Sequence, residues 1–245
     1  MEQTTEHETQ GKGTEGAAPV SAAAHASSLR RTFEEELQQA KDDVLRLGAM
    51  VEGQIQRAGV AMMQRDVELA DQVRWADTEV NELQRQVNLE ITSVIARQGP
   101  MARDIRELLT LYHAAAELER MGDYATNIAK LAQQLATEPE LPIFRQIPRM
   151  EQLCREQLRS AMRALVDVSE EEARTVCRGD DEIDALYNSV YEDAISLMEV
   201  SPERARQATH MLFAAHHLER LGDRVTNIGE DVVFLATGRV EDLNP

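Results

Sequence analysis

Glu119-Arg120-Met121-Gly122-Asp123-Tyr124-Ala125-Thr126-Asn127-Ile128 returns one hundred residues later as Glu219-Arg220-Leu221-Gly222-Asp223-Arg224-Val225-Thr226-Asn227-Ile228. Seven of the ten positions are identical. A segment repeated in this way marks a tandem of two like units. A duplicated core would repeat Leu and Ala, whereas this segment repeats Glu, Asp and Asn along one helical face. The repeat therefore fixes the architecture and also points to where function should lie.

Outward from the two copies, apolar residues fall three or four apart, the spacing of an amphipathic helix. Phe33, Leu37, Ala40, Val44, Leu47, Val51, Ile55 and Val60 predict a first helix over 29–65. Asp66 is placed to cap a second, carrying Leu69, Val73, Val80, Leu83, Val87, Ile91 and Ile95 until Gly99-Pro100 breaks it. The third holds the first copy of the repeat and fades near Thr137. Three prolines between Glu138 and Pro148 read as a linker, and then the plan starts again. A fourth helix carries Leu153, Leu158, Met162 and Leu165. A fifth starts at Ser169-Glu-Glu-Glu172 and runs through Met198, and a sixth opens at Ser201-Pro202 and stops at Thr237-Gly238.

The expected fold is all-α: two tandem, pseudo-symmetric antiparallel three-helix bundles built from six long helices. The expected divisions are a disordered tail over 1–28, a first unit over 29–137, a Pro-rich linker over 138–148, a second unit over 149–238 and a C-terminal tail over 239–245. Composition agrees with helix over sheet, since aromatics make up only 4% of the 245 residues. The formal charge of −18 repels nucleic acid and favours cationic partners, whether metal ions or basic protein surfaces. No run is apolar enough to span a bilayer, and the N-terminus lacks the basic and apolar regions of a signal peptide. Cys154 and Cys177 show no metal-type spacing and read as reduced thiols of a cytoplasmic protein.

Residues four apart on a helix are neighbours on one face. Glu119, Asp123 and Asn127 therefore form one oxygen-rich line, and Glu219, Asp223 and Asn227 form another. The fifth helix adds Asp180 and Asp184, also four apart, while the second helix offers Asp77 with Asn81, an amide in place of one acid. Like charges at this spacing repel by a few tenths of a kcal/mol, which a bound cation or a neighbouring Arg would offset. An all-oxygen set suits Mg²⁺, Mn²⁺, Ca²⁺ or a ferric ion better than a structural Zn²⁺; Mg, Mn, Fe and Zn all stay open as the ion's identity. Mid-helix Gly122 and Gly222 each cost about 1 kcal/mol against Ala, so close approach by a neighbour is expected there. Arg120 and Arg220 point away from the acidic line, to anchor an acid or to face a partner protein. His216, His217 and Trp75 read as surface and packing residues. Nothing resembles a catalytic triad, a phosphate loop or a Cys–His pair, so the chain is not expected to be an enzyme.

The two LER(M/L)GDxxTNI segments resemble the signature of the PhoU family, the accessory and regulatory proteins of bacterial phosphate-specific transport. The likeness extends to Leu47-Gly-Ala-Met-Val-Glu52, to Asp66 with Leu69-Ala70 and Asp77, to Arg103-Asp-Ile-Arg106, and to Asp180-Asp-Glu-Ile-Asp-Ala-Leu-Tyr187. The resemblance implies paired three-helix bundles that bind metal through Glu/Asp-x-x-x-Asp motifs, here Glu119–Asp123, Asp180–Asp184 and Glu219–Asp223. The Asp77–Asn81 pair departs from that pattern. It further implies a cytoplasmic negative regulator of phosphate uptake and phosphate-starvation signalling. Its partners would be a sensor histidine kinase, the ATPase subunit of the phosphate ABC transporter and a second copy of itself, reaching the membrane only through them. A metal-buffering or storage protein and a metal-dependent phosphatase are the rival readings.

Overall fold

The computed structural model describes residues 18–139 and 144–243. Residues 1–17 of the tail expected over 1–28, linker residues 140–143 and terminal residues 244–245 lie outside them. Helix α1 (Ala18–Gln64) is followed by α2 (Val67–Gln98) and α3 (Arg103–Ala136). The second unit holds α4 (Gln146–Asp167), α5 (Glu170–Arg178), α6 (Asp180–Val200), a single 3₁₀ turn (Pro202–Arg204) and α7 (Ala205–Thr237). Among the described residues there is no strand, and no helix is long and apolar enough to cross a membrane.

Each unit closes around its own apolar stripe. In α1 the inner face is Phe33, Leu37, Ala40, Val44, Leu47, Val51 and Ile55, all buried. Val60, expected on that face, is exposed, and Ala58, Ala61 and Met62 take the inward positions instead. The helix ends obey local rules. The Asp66 carboxylate accepts from Leu69 N–H at 2.9 Å and the Ser169 hydroxyl from Glu172 N–H at 3.3 Å, both as the sequence predicts. Gly99 and Gly238 end α2 and α7 in the left-handed conformation, where a side chain would be strained.

Three boundaries differ from expectation, the smallest being that α4 begins at Gln146, inside the linker expected over 138–148. Helix α1 begins at Ala18, so 18–28 are helical rather than part of a tail; the run Ala22-Ala23-Ala24 has the highest helix propensity available. The fifth expected helix is broken at Gly179 into α5 and α6, whereas in the first unit Ala76 holds the matching place and α2 runs on unbroken.

The units meet through equivalent helices: α1 lies against α4, and α3 against α7 in the most extensive helix contact of the molecule. Like surfaces on two like units face each other, as they do across a two-fold axis. Helix α3 is consequently wrapped by α1, α2 and α7, which is why its buried residues lie on more than one face.

Candidate metal-binding surface

Helix α3 turns Glu119 and Asp123 toward α2, and the absence of a side chain at Gly122 lets α2 come close. A methyl group on Gly122 would stand 3.3 Å from Val80 Cγ1 and 3.4 Å from Asp77 Oδ1. Asp77, Glu119 and Asp123 thereby share one electrostatic neighbourhood. Burial pushes the Glu119 carboxyl above its ordinary range, and the charges of Asp123 and Asp77 add to that. Asp123 is raised likewise, by burial and then by Asp77, with Lys130 opposing. Asn81 donates to Asp77 Oδ2 at 3.3 Å, and Asp77 Oδ1 is buried with no hydrogen-bond donor.

The second unit repeats the arrangement. A methyl on Gly222 would stand 2.4 Å from Asp180 Oδ1 and 3.2 Å from Ile183 Cδ1, so α6 approaches α7 still more closely. Asp184 is raised by burial, then by Asp223 and Asp181. Glu219 is raised by burial and by Asp223 and Asp184, with Arg220 and Arg224 opposing. Its Oε2 has no hydrogen-bond donor, while His216 Nδ1 stands 3.4 Å away. The fourth acid, Asp180, is 1% exposed and sits beneath the others.

Both places hold hard oxygen ligands that repel one another and include an orphaned carboxylate oxygen, the donor set a divalent or ferric cation would relieve. The carboxylates flank the position rather than enclose it. Among the described residues no three His, Cys, Asp or Glu side chains gather tightly enough to form a ready cage. An ion here would rest on two or three side chains and complete its shell with water, the habit of Mg²⁺-like ions.

Several other sequence-selected residues lie elsewhere. Asn127 accepts from Lys130 at 3.0 Å. Asn227 leaves the acidic line and donates across to Glu117 of the first unit at 3.1 Å. Arg120 also pairs with Glu117, and Arg220 lies over Asp223 at 2.5 Å, so a cation at Asp223 must displace or tolerate it. Neither histidine is a plain surface residue: His217 packs on Tyr124 and His216 on Tyr187, with ring centroids 5.8 and 6.0 Å apart. Trp75, expected to pack, is 78% exposed. Its place on α2, between Arg74 and Ala76, turns it outward from the three-helix core.

Three features escaped the sequence reading. Glu117, 8% exposed, gathers Arg120, Arg224 and Asn227 where the units meet. Gln54 and Gln157, at matching places on α1 and α4, are buried amides with no hydrogen-bond partner for either polar atom. The common interval between Gln54 and Asp77 and between Gln157 and Asp180 was the available signal.

Known proteins match the chain over most of its length. The PhoU domain family model matches residues 44–132 and 147–232, one domain per unit. A Clostridium acetobutylicum relative named "Phosphate-specific transport system accessory protein PhoU homolog" is 32% identical over 216 residues, covering 88% of this chain and 99% of that protein. A Caulobacter vibrioides relative of the same name is 33% identical over 209 residues, covering 85% and 91%. The crystal structure of PhoU from Pseudomonas aeruginosa matches with a TM-score of 0.82 at 29% identity, over 84% of this chain and 100% of that one. That of the phosphate transport system regulatory protein PhoU from Streptococcus pneumoniae matches at 0.81 and 30%, over 86% and 99%.

Proposed function

The chain belongs to the PhoU family, and from that premise we propose that it is a metal-dependent regulator of phosphate homeostasis, not an enzyme. It acts in the cytoplasm as the accessory of a phosphate-specific transport system, restraining uptake through the transporter's ATPase subunit and the starvation response through a sensor histidine kinase. The observation that carries the reading is the duplication. Glu119 and Asp123 in one unit, and Glu219 and Asp223 in the other, stand at equivalent positions on equivalent helices, each pair repelled by a further carboxylate one turn apart on the neighbouring helices, Asp77 of α2 and Asp184 of α6.

A site that is unfavourable when empty and ionised is relieved by a cation, so loading an ion would reset the charge of two outer faces at once. The formal charge of −18 makes such neutralisation a strong signal to a partner surface. Two like units also suit a homodimer, in which the same faces are offered twice over.

The test is deletion of the gene in phosphate-replete cells carrying a phosphate-starvation reporter. The reading requires the reporter to switch on despite plentiful phosphate. It also requires that a copy with Glu119→Ala, Asp123→Ala, Glu219→Ala and Asp223→Ala fail to restore repression while accumulating at the normal level. A reporter that stays silent in the deletion strain removes the regulatory reading and leaves metal storage in its place.

A further inference from the structure

Gln54 is wholly buried (0% exposed) in the middle of α1, and both polar atoms of its amide lack a hydrogen-bond partner. An unsatisfied amide in a core loses its hydration without a hydrogen bond in return, and an apolar residue of the same volume would avoid that cost. The amide is aimed at the first carboxylate site. Around the position that a methyl on Gly122 would take, Gln54 Oε1 stands at 3.0 Å and Asp77 Oδ1 at 3.4 Å. Asp77 Oδ1 is also buried without a donor. Two acceptor oxygens thus face one space that glycine leaves open, with nothing to donate to either. That arrangement fits a cation, or a water held by one; the amide turned over would instead offer its Nε2 to Asp77, and a Gln54→Glu variant separates the two.

We infer that Gln54 is a further residue of the first site, presenting its amide oxygen with Asp77 to the bound divalent cation or its inner water. It adds an oxygen from beneath the site, where the outer helix offers the neutral Asn81 in place of a second acid. The counterpart Gln157 does not share the role. Its Nε2 would lie 2.8 Å from a methyl on Gly179, at the break between α5 and α6, and Gly222 is approached by Asp180 and Ile183 instead. The two pseudo-symmetric sites are therefore built differently inside. The inference rests on the metal-binding reading proposed above.

The experiment is calorimetric titration of the chelator-treated full chain with Mn²⁺ alone, in a background of Asp184→Ala and Asp223→Ala that leaves only the first site. Gln54→Met, of similar volume, should weaken binding at least about tenfold, as loss of a supporting group does, while the urea midpoint stays level or rises. Gln54→Glu, which keeps the oxygen, should bind at least as tightly as the background protein, and it carries the test alone if Gln54→Met does not fold. Gln157→Met should leave the first site's affinity within about threefold. Unchanged Mn²⁺ affinity in Gln54→Met, or weaker binding in Gln54→Glu, overturns the inference and leaves the metal reading standing. No Mn²⁺ binding by the background protein overturns the inference, and none by the unsubstituted chain overturns both.

Discussion

At Gly222 a single hydrogen separates α7 from a buried carboxylate. A Cβ there would meet Asp180 Oδ1 at 2.4 Å, whereas at Gly122 the nearest atom is the end of the Gln54 side chain at 3.0 Å. Alanine gains about 1 kcal/mol of helix propensity at either place, but overpacking costs about 1–3 kcal/mol where the neighbour cannot yield. Gly222→Ala should therefore lower unfolding free energy by up to about 2 kcal/mol in urea denaturation, and Gly122→Ala, beside a side-chain end that can move, should lose less or gain up to about 1 kcal/mol. Equal losses at the two sites would contradict this geometry. A second prediction concerns pH. Burial, then His216 and Lys130, pull His217 down to about 4, below its ordinary value. Between pH 4 and 6.5 the unfolded chain then holds a proton the folded chain lacks, so His217 makes stability rise with pH. Asp231 acts oppositely: burial raises it to about 6 against the pull of His113, so the folded chain keeps its proton and stability falls as pH climbs from about 4 to 6. Replacing His217 by Phe should remove the rise and expose the fall. The stability difference, wild type minus variant, should grow steadily from pH 4.5 to 6.5, and a flat difference would contradict the burial of His217. The carboxylates and the two glycines were legible in the sequence because polar residues recur at a fixed interval there. The turn of Asn227 toward Glu117 was not, because periodicity gives a face and not the partner opposite it.

The helices themselves were legible to within a turn wherever a cap or breaker stands. Asp66, Gly99, Ser169 and Gly238 each do at the structural ends what their chemistry dictates. The misreadings fall where local chemistry is silent or ambiguous. Residues 18–28 carry composition that suits a tail as well as a helix, and the Gly179 break sits inside an unbroken apolar pattern from Val176 to Ile183. Glycine at the break lets α4 come close: a methyl at Gly179 would press on Gln157 Nε2 at 2.8 Å and on the Val176 carbonyl oxygen at 3.2 Å. Caps give the third prediction. Asp66 accepts from Leu69 N–H at 2.9 Å and Ser169 from Glu172 N–H at 3.3 Å, so the Asp66 bond is the shorter and is charge-assisted. Asp66→Ala should cost about 1 kcal/mol and Ser169→Ala no more than that, both read from urea midpoints at constant slope. A larger loss at Ser169 would mean that the short α5 depends on its cap more than on its packing.

Across the whole molecule the two units are joined by polar contacts as well as by apolar burial. Glu117 of α3 takes Arg224 at 3.3 Å and Asn227 at 3.1 Å from α7, Thr110 donates to the Asp231 carbonyl at 3.3 Å, and Arg159 of α4 pairs with Glu52 of α1 at 2.5 Å. The duplication revealed that there are two units, but the seam between them is written in residues that do not repeat: Arg224 answers to Tyr124, and Glu117 to His217. A repeat search discards such positions, so the interface was the least legible part of the fold. Its energetic weight is open to measurement. Glu117→Ala leaves the Arg224 guanidinium, whose side chain is 16% exposed, without that acid. Removing one partner of a buried pair costs about 3–5 kcal/mol; Arg120, at 53% exposed, adds little. Because α3 and α7 form the largest helix contact, that loss should be felt by both units together. Scanning calorimetry should give one transition whose calorimetric and van't Hoff enthalpies agree, for wild type and for Glu117→Ala alike, with the variant's moved down by several degrees. Two resolved transitions in the wild type would mean that each unit folds on its own core. In that case a cation bound on one unit would have no mechanical route through the seam to the face of the other.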